Sequence, residues 1–207
     1  MKRLGLELLG VGAMRSPRYA PAGLLVRFGA HRVVIDGGPG AAPPPGRLDA
    51  WLVTDEHCEL IAAIRRLARG RGLEPKVATW KADGLVIRPR PVVHTSHAAF
   101  GYLIEVTSRG RMLRCAWAPE FFRFPRWVSA VDLMFAEASS FAQPVRLTGG
   151  VGGHMAVIDV AREAERSGVR RLVFAHIGKS SIRAREAGAP LSFGEWASDG
   201  DVFVLGR

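Results

Sequence analysis

The residues with the most chemistry to offer in this sequence are its six histidines: His31, His57, His94, His97, His154 and His176. Neutral imidazole is the commonest protein ligand for metals and the usual general acid or base near neutral pH. Four of the six stand at the end of, or just after, a short run that reads as a strand or a turn leading into a helix. His57 follows Trp51-Leu52-Val53-Thr54, His94 ends Pro91-Val92-Val93, and His176 ends Leu172-Val173-Phe174-Ala175. His154 follows Gly149-Gly150-Val151-Gly152-Gly153 and precedes a helical pattern. Side chains delivered from strand ends meet at one edge of a sheet, where sites on αβ scaffolds are commonly built. One histidine in such a place is more often solvated or hydrogen-bonded than a ligand; the shared placement of four lifts the set. Asp55 and Glu59 flank His57 in the sequence.

The elements that must position these groups follow from periodicity. Leu4–Gly10 alternates as a strand, and Leu24–Phe28 with Arg32–Asp36 reads as a hairpin about Gly29-Ala30-His31. Glycine and proline punctuate Gly37–Gly40 and Pro43–Gly46 as a loop. Asp49–Val53 is a buried-type strand. Leu60, Ile64 and Leu67, with Ile61 and Ala68 beside them, mark one helical face that stops at Gly70 and Gly72. Strands are expected at Val77–Thr79, Val86–Arg88, Val92–His94, Gly101–Thr107 and Met112–Ala116, with a turn at Ser108-Arg109-Gly110-Arg111. Leu133–Glu137 is a further strand. A helix at Met155–Arg166, with Val157, Val160, Ala161 and Ala164 as its inner face, leads to strands at Arg171–Ala175 and Asp201–Leu205. A meander followed by strand–helix–strand units fits two sheets packed face to face with helices outside.

Seven segments, taken in order, resemble the metallo-β-lactamase superfamily and in particular its ribonuclease Z branch. Ile35-Asp36-Gly37-Gly38 resembles the early aspartate–glycine turn, and Thr54-Asp55-Glu56-His57-Cys58-Glu59-Leu60 occupies the place of the Thr-His-x-His-x-Asp-His signature. Val93–Tyr102, with His94 and Ala99-Phe100-Gly101, is similar to the third motif of that branch. Ala116–Glu120 stands where the family carries its metal-bridging aspartate, and Asp132–Ser139 resembles the strand ending in Glu-Ala. Gly153-His154-Met155 and Phe174-Ala175-His176-Ile177-Gly178 resemble the last two motifs. The resemblance spans Leu4 to Lys179. It implies a single domain over residues 1–207: an α/β, four-layer αββα sandwich of two mixed sheets with helices outside.

The resemblance also implies a metal hydrolase, with departures. The first metal site would draw on Asp55, His57, His94 and Glu120. The second would draw on Glu59, Glu120 and His176, with Leu60 unable to bind metal. The implied cofactor is one or two divalent ions, zinc first, with manganese or iron as alternatives because oxygen ligands suit harder ions. Glu59, His154 and Glu137 are the candidate catalytic groups. His154 would lie beside the leaving group or phosphate, and Glu137 would orient it and fix its tautomer. Three readings stand side by side: a working hydrolase with an altered, perhaps mononuclear site, a structural metal, or a metal-free relic whose cleft binds something. Asp55 and Glu59 could instead cap the helix that begins near Leu60. Glu137 could be a buried acid bound to backbone, and His154 a helix cap. Cys58 could be a small buried apolar residue, a thiolate ligand, or a partner for Cys115.

Composition narrows the partners. The chain has 207 residues, 48% of them apolar, a formal net charge of +10 and a pI near 10.9. That is globular rather than disordered, and the charge draws anions such as nucleotides and nucleic acids. No charge-free stretch of 18 residues marks a membrane span, and two cysteines make no secreted disulfide framework, so a cytoplasmic protein is expected. The favoured substrate is a small phosphodiester, phosphorylated molecule or other ester, with nucleic acid as a further partner. Only Ile61–Val93 separate the signature from the third motif, which leaves no room for a long arm that grips transfer RNA. The rival is a catalytically inactive, basic nucleotide-binding or nucleic-acid-binding module. For it, Phe121-Phe122-Arg123-Phe124-Pro125-Arg126-Trp127 supplies interleaved aromatics and arginines. The plainer reading of that segment is a short packed helix or a homodimer contact.

Overall fold

Alternation builds the first sheet. In the computed structural model, which describes residues 3–95, 97–108, 110–147 and 152–206, β1 (Leu4–Gly10) buries Leu4, Leu6 and Leu8 and turns Gly5 and Glu7 outward, the period of two a strand requires. It pairs antiparallel with β2 (Gly23–Phe28), which pairs antiparallel with β3 (His31–Asp36). The short β4 (Ala50–Leu52) adds parallel to β3. The last strand, β14 (Val202–Leu205), adds antiparallel to the free side of β1.

The second sheet has seven strands. β5 (Trp80–Ala82), β6 (Leu85–Val92), β7 (Ala99–Ser108) and β8 (Arg111–Ala118) form an antiparallel meander. β9 (Leu133–Ala138), β12 (Leu172–Ile177) and β13 (Glu195–Trp196) then join in parallel. Every residue of β9 and β12 is buried, as parallel strands covered on both faces must be. Between them in sequence, β10 (Val145–Arg146) and β11 (Gly153–His154) form a separate two-stranded ribbon.

The sheets face each other across one core in which Leu6, Leu8, Val26, Ile35 and Phe203 of the first meet Ile104, Trp117 and Phe135 of the second. Helices cover the outer faces. α1 (Ile61–Arg69) buries Ile64 and Ala68 against Leu25, Val34, Trp51 and Val53 of the first sheet. α2 (Val157–Arg166) buries Val157, Val160, Ala161 and Ala164 and packs on β9 and β12 of the second. α3 (Lys179–Glu186) follows β12 directly. The order helix, sheet, sheet, helix is the expected four-layer arrangement. Among the described residues no helix is long and apolar enough to cross a membrane.

Several local expectations change. Val77–Thr79 is not a strand; pairing starts at Trp80, where β5 finds β6. The two strands expected at Val86–Arg88 and Val92–His94 are one, running through Pro89 and Pro91. β5 ends opposite Leu85–Ile87, so both prolines lie on an edge where no ladder bond is lost. β12 extends past Ala175 to include His176, and α3 had no counterpart in the periodicity reading. α1 carries no side-chain cap; burying Ile64 contributes about 1.5–3 kcal/mol and holds it without one. In place of the short helix at Phe121–Trp127 there is a loop and a 3₁₀ turn at Arg126–Val128. Cys58 and Cys115 are both free. Arg109 of the expected turn and Gly149 to Val151 of the glycine run lie outside the described residues.

Candidate metal centre

Three strand ends and one loop converge on a cleft of about 330 Å³. His94 lies two residues beyond β6 and is buried. Its Nδ1 donates to the Gly153 carbonyl at 2.9 Å, while the Gly153 amide donates to the His94 carbonyl at 2.8 Å. A carbonyl only accepts, so Nδ1 carries the proton and Nε2 keeps its lone pair. That clasp needs glycine: an added Cβ at Gly152 would overlap the His94 carbonyl, and Gly153 has φ of +149°.

His176 reaches the same point from β12. The pairing of β9 with β12 slips between Phe174 and Ile177, and His176 sits at this irregularity with φ of +68°. A left-handed, non-glycine residue at a strand irregularity is strained, and bulges serve to re-aim side chains. Here the bulge turns the imidazole into the cleft. Its Nδ1 lies 2.9 Å from Ser139 Oγ and 3.4 Å from Glu137 Oε1.

Glu120 joins the two rings. It follows β8 and Pro119, and its side chain keeps 26% exposure. Oε1 lies 2.7 Å from His176 Nε2, and Oε2 lies 3.4 Å from His94 Nε2. Burial pushes the His176 imidazole toward the neutral form, but Glu120 and then Glu137 more than offset it, and the ring is held well above the usual range. Burial alone would raise Glu120; the facing His176 and His94 rings bring it below the usual carboxylate range instead.

Behind this trio stands Glu137, fully buried on β9. Oε2 accepts from His154 Nδ1 at 2.7 Å and from the Phe121 amide at 3.2 Å. Oε1 accepts from the Ser139 amide at 2.8 Å, besides its contact with His176. Burial would raise this acid, yet the His154 and His176 donors drive it strongly downward. Glu137, His154 and His176 also form a compact group with donor atoms within 4.8 Å of one another. Since Glu137 is surrounded by N–H donors on both oxygens, it acts as the acceptor that orients two imidazoles. His154, on β11, gives its Nδ1 proton to this bond and keeps Nε2 free; its ring is stacked 5.6 Å from His176 and tilted 4.8 Å from His94.

The signature loop lines the opposite part of the cleft. Asp55, His57, Cys58 and Glu59 all border it, but outside the trio. Asp55 is buried and already engaged: Oδ1 accepts from the His57 amide at 2.7 Å, and Oδ2 pairs with His97 Nε2 at 2.8 Å. It caps a turn rather than α1. His57 is exposed, its ring edge-on to His97 at 5.2 Å, and Glu59 is exposed at the cleft rim. Asp36 anchors this loop from β3, with φ of +57°. It accepts from the Thr54 amide at 2.7 Å, the Thr54 hydroxyl at 2.9 Å and Trp117 Nε1 at 2.7 Å. Burial pushes its carboxyl up to about 6 despite those donors.

Ser139 and the Gly153 carbonyl were not singled out from the sequence, and His97 was counted among the histidines without a role. Ser139 had a signal: it stands two residues beyond Glu137 at a strand end. The Gly153 carbonyl had none, since a backbone acceptor leaves no trace in side-chain type.

His94, Glu120 and His176 are the residues that would hold an ion here, with the compact Glu137, His154 and His176 group directly behind them. His94 Nε2, His176 Nε2 and Glu120 converge, and both imidazoles have their second nitrogen tied down, as the outer shell of a metal site requires. A second ion fits poorly, because Leu60 offers nothing, both Asp55 oxygens are in use and Glu59 faces solvent.

These observations together define the chain as a protein of the metallo-β-lactamase fold, and solved structures agree. The metallo-β-lactamase fold protein YhfI from Bacillus subtilis is 17% identical with a TM-score of 0.73, covering 99% of this chain and 100% of that one. A diphosphatase of the PhnP family is 18% identical with a TM-score of 0.75, covering 98% of this chain and 97% of that one. Zn²⁺-bound PqqB from Methylobacterium extorquens is 14% identical with a TM-score of 0.68, covering 97% of this chain and 100% of that one. No family model and no curated protein matches the sequence.

Proposed function

We propose that this protein is a metal-dependent hydrolase of phosphodiesters or related esters, working with a single divalent ion, zinc first, held by His94, Glu120 and His176. The observation that carries this reading is the convergence of two Nε2 atoms on one carboxylate, each ring fixed through Nδ1. An ion bound there supplies a water of lowered pKa and polarises the ester oxygen. The remaining work falls to the chain. His154, oriented by Glu137 through its Nδ1 proton, presents an unprotonated Nε2 to the cleft, where it can take a proton from the attacking water and then pass it to the leaving oxygen. Glu59 at the rim is the second acid–base candidate, with Asp55 and His57 shaping that wall. Lys179 lines the cleft and favours an anionic substrate. The likeness to a diphosphatase supports a phosphate ester over other esters. We take the chain as a single functional unit of the cytoplasm.

The test is metal analysis of the purified protein, followed by turnover of bis(p-nitrophenyl) phosphate with zinc or manganese added. Stoichiometric metal and metal-stimulated turnover are expected. Neither metal nor turnover would overturn the enzyme reading and leave the inactive binding module.

A further inference from the structure

We propose that a second site, a pocket between the end of β6 and the Phe121–Trp127 loop, binds single-stranded nucleic acid. The pocket is a shallow, open concavity of about 590 Å³ lined by Arg90 to Val93 and Arg123 to Trp127. Arg90, Arg123 and Arg126 are all exposed. Among the described residues none of the three has a carboxylate within 4.0 Å. Other exposed arginines, such as Arg65 and Arg66 on α1, also lack an acid within 4.0 Å among the described residues, but these three border one concavity. Three uncompensated guanidiniums around one concavity suit phosphates, which the planar fork binds in a bidentate way.

The aromatic groups are already fixed. Trp127 Nε1 donates to the Pro91 carbonyl at 3.1 Å, and its ring edge lies against Gly101, where an added Cβ would stand 2.9 Å away. Phe124 packs edge-on to buried Phe121 at 5.9 Å. Arg146 covers the Phe122 ring at 5.0 Å and extends the basic surface. Rigid rings cost little ordering on binding, and bases stack on such rings whatever their identity. Arginines with fixed aromatics favour a nucleic-acid strand over an acidic peptide, which has charge but no bases. The pocket is contiguous in the chain with the metal centre, since Val93 precedes His94 and Phe121 follows Glu120.

The site is tested apart from hydrolysis, by fluorescence anisotropy in EDTA with a labelled single strand of roughly 12 nucleotides, within the span of known single-strand sites. R123E/R126E is expected to weaken binding at least tenfold. It should also lower the slope of log affinity against log salt by about 1.4, at ~0.7 per phosphate contact. R123Q/R126Q, which keeps the loop's shape, should fall between wild type and the charge reversal. An abasic strand should bind about tenfold more weakly, the loss of one or two stacked bases. Unchanged affinity in both variants overturns the proposal, and so does equal affinity for the abasic strand or for polyglutamate. Turnover of bis(p-nitrophenyl) phosphate should be unchanged in R123Q/R126Q; its loss would mean that the loop shapes the metal centre and is no separate site.

Discussion

Replacing Glu137 by glutamine probes the arrangement behind the metal centre most sharply. The carboxylate accepts from four N–H donors: His154 Nδ1 and the Phe121 amide on one oxygen, the Ser139 amide and His176 Nδ1 on the other. Glutamine keeps one accepting oxygen and turns an NH₂ toward the other pair. The less costly orientation faces it to His154 and Phe121, because the Phe121 amide makes the longer bond, 3.2 Å against 2.8 Å for Ser139, and His154 can change tautomer and accept on Nδ1. The Phe121 N–H is then buried without an acceptor, at about 1–3 kcal/mol, and a hydrogen bond to a charged group worth about 1.5–3 kcal/mol is lost. The expected destabilisation is therefore about 2.5–6 kcal/mol, which brackets the roughly 3–5 kcal/mol for removing one member of a buried ion pair. The tautomer change also moves the His154 proton to Nε2, so the nitrogen facing the cleft becomes a donor. Urea denaturation should read the stability loss, ¹⁵N NMR of the histidine rings the tautomer, and turnover at saturating metal a fall in kcat larger than that in metal content. A loss under about 1 kcal/mol, with the His154 tautomer unchanged, would refute the reasoning.

Other expectations follow from the same geometry. Glu137 is depressed from its ordinary value of 4.5, so its stabilisation is present above that pH and lost as pH falls. His176 is raised from 6.5 to about 10, so its contribution is full below 6.5 and lost as pH rises through 10; metal-stripped protein should show its highest Tm between about pH 4.5 and 6.5 in a thermal scan. Gly178→Ala would drive a methyl into the Ser139 carbonyl. It should cost about 1–3 kcal/mol and lower metal content by displacing the Ser139–His176 contact, as elemental analysis would read. His94→Ala should abolish bound metal. His57→Ala, at an exposed position outside the trio, should reduce it less, and equal losses would place His57 in the ion's shell.

Much of the fold was legible because it rests on period and order. Leu4–Gly10, the Phe28–His31 turn and the inner faces of α1 and α2 follow from side-chain alternation, which the chain carries residue by residue. His94 and His176 were marked by strand ends and His154 by a glycine run before a helix, while Glu120 and Glu137 were marked only by motifs that resemble the metallo-β-lactamase superfamily. What those residues do to one another was not legible. His94 depends on a backbone carbonyl 59 positions away, and His176 points into the cleft only because a slip in β-pairing leaves it left-handed. Asp55, which sequence order put among the ligands, is held by His97 and the His57 amide. Sequence alone determined which groups arrive at the edge of the sheets. Register, bulges and backbone acceptors, which exist only once distant strands have paired, decided which of them face one another.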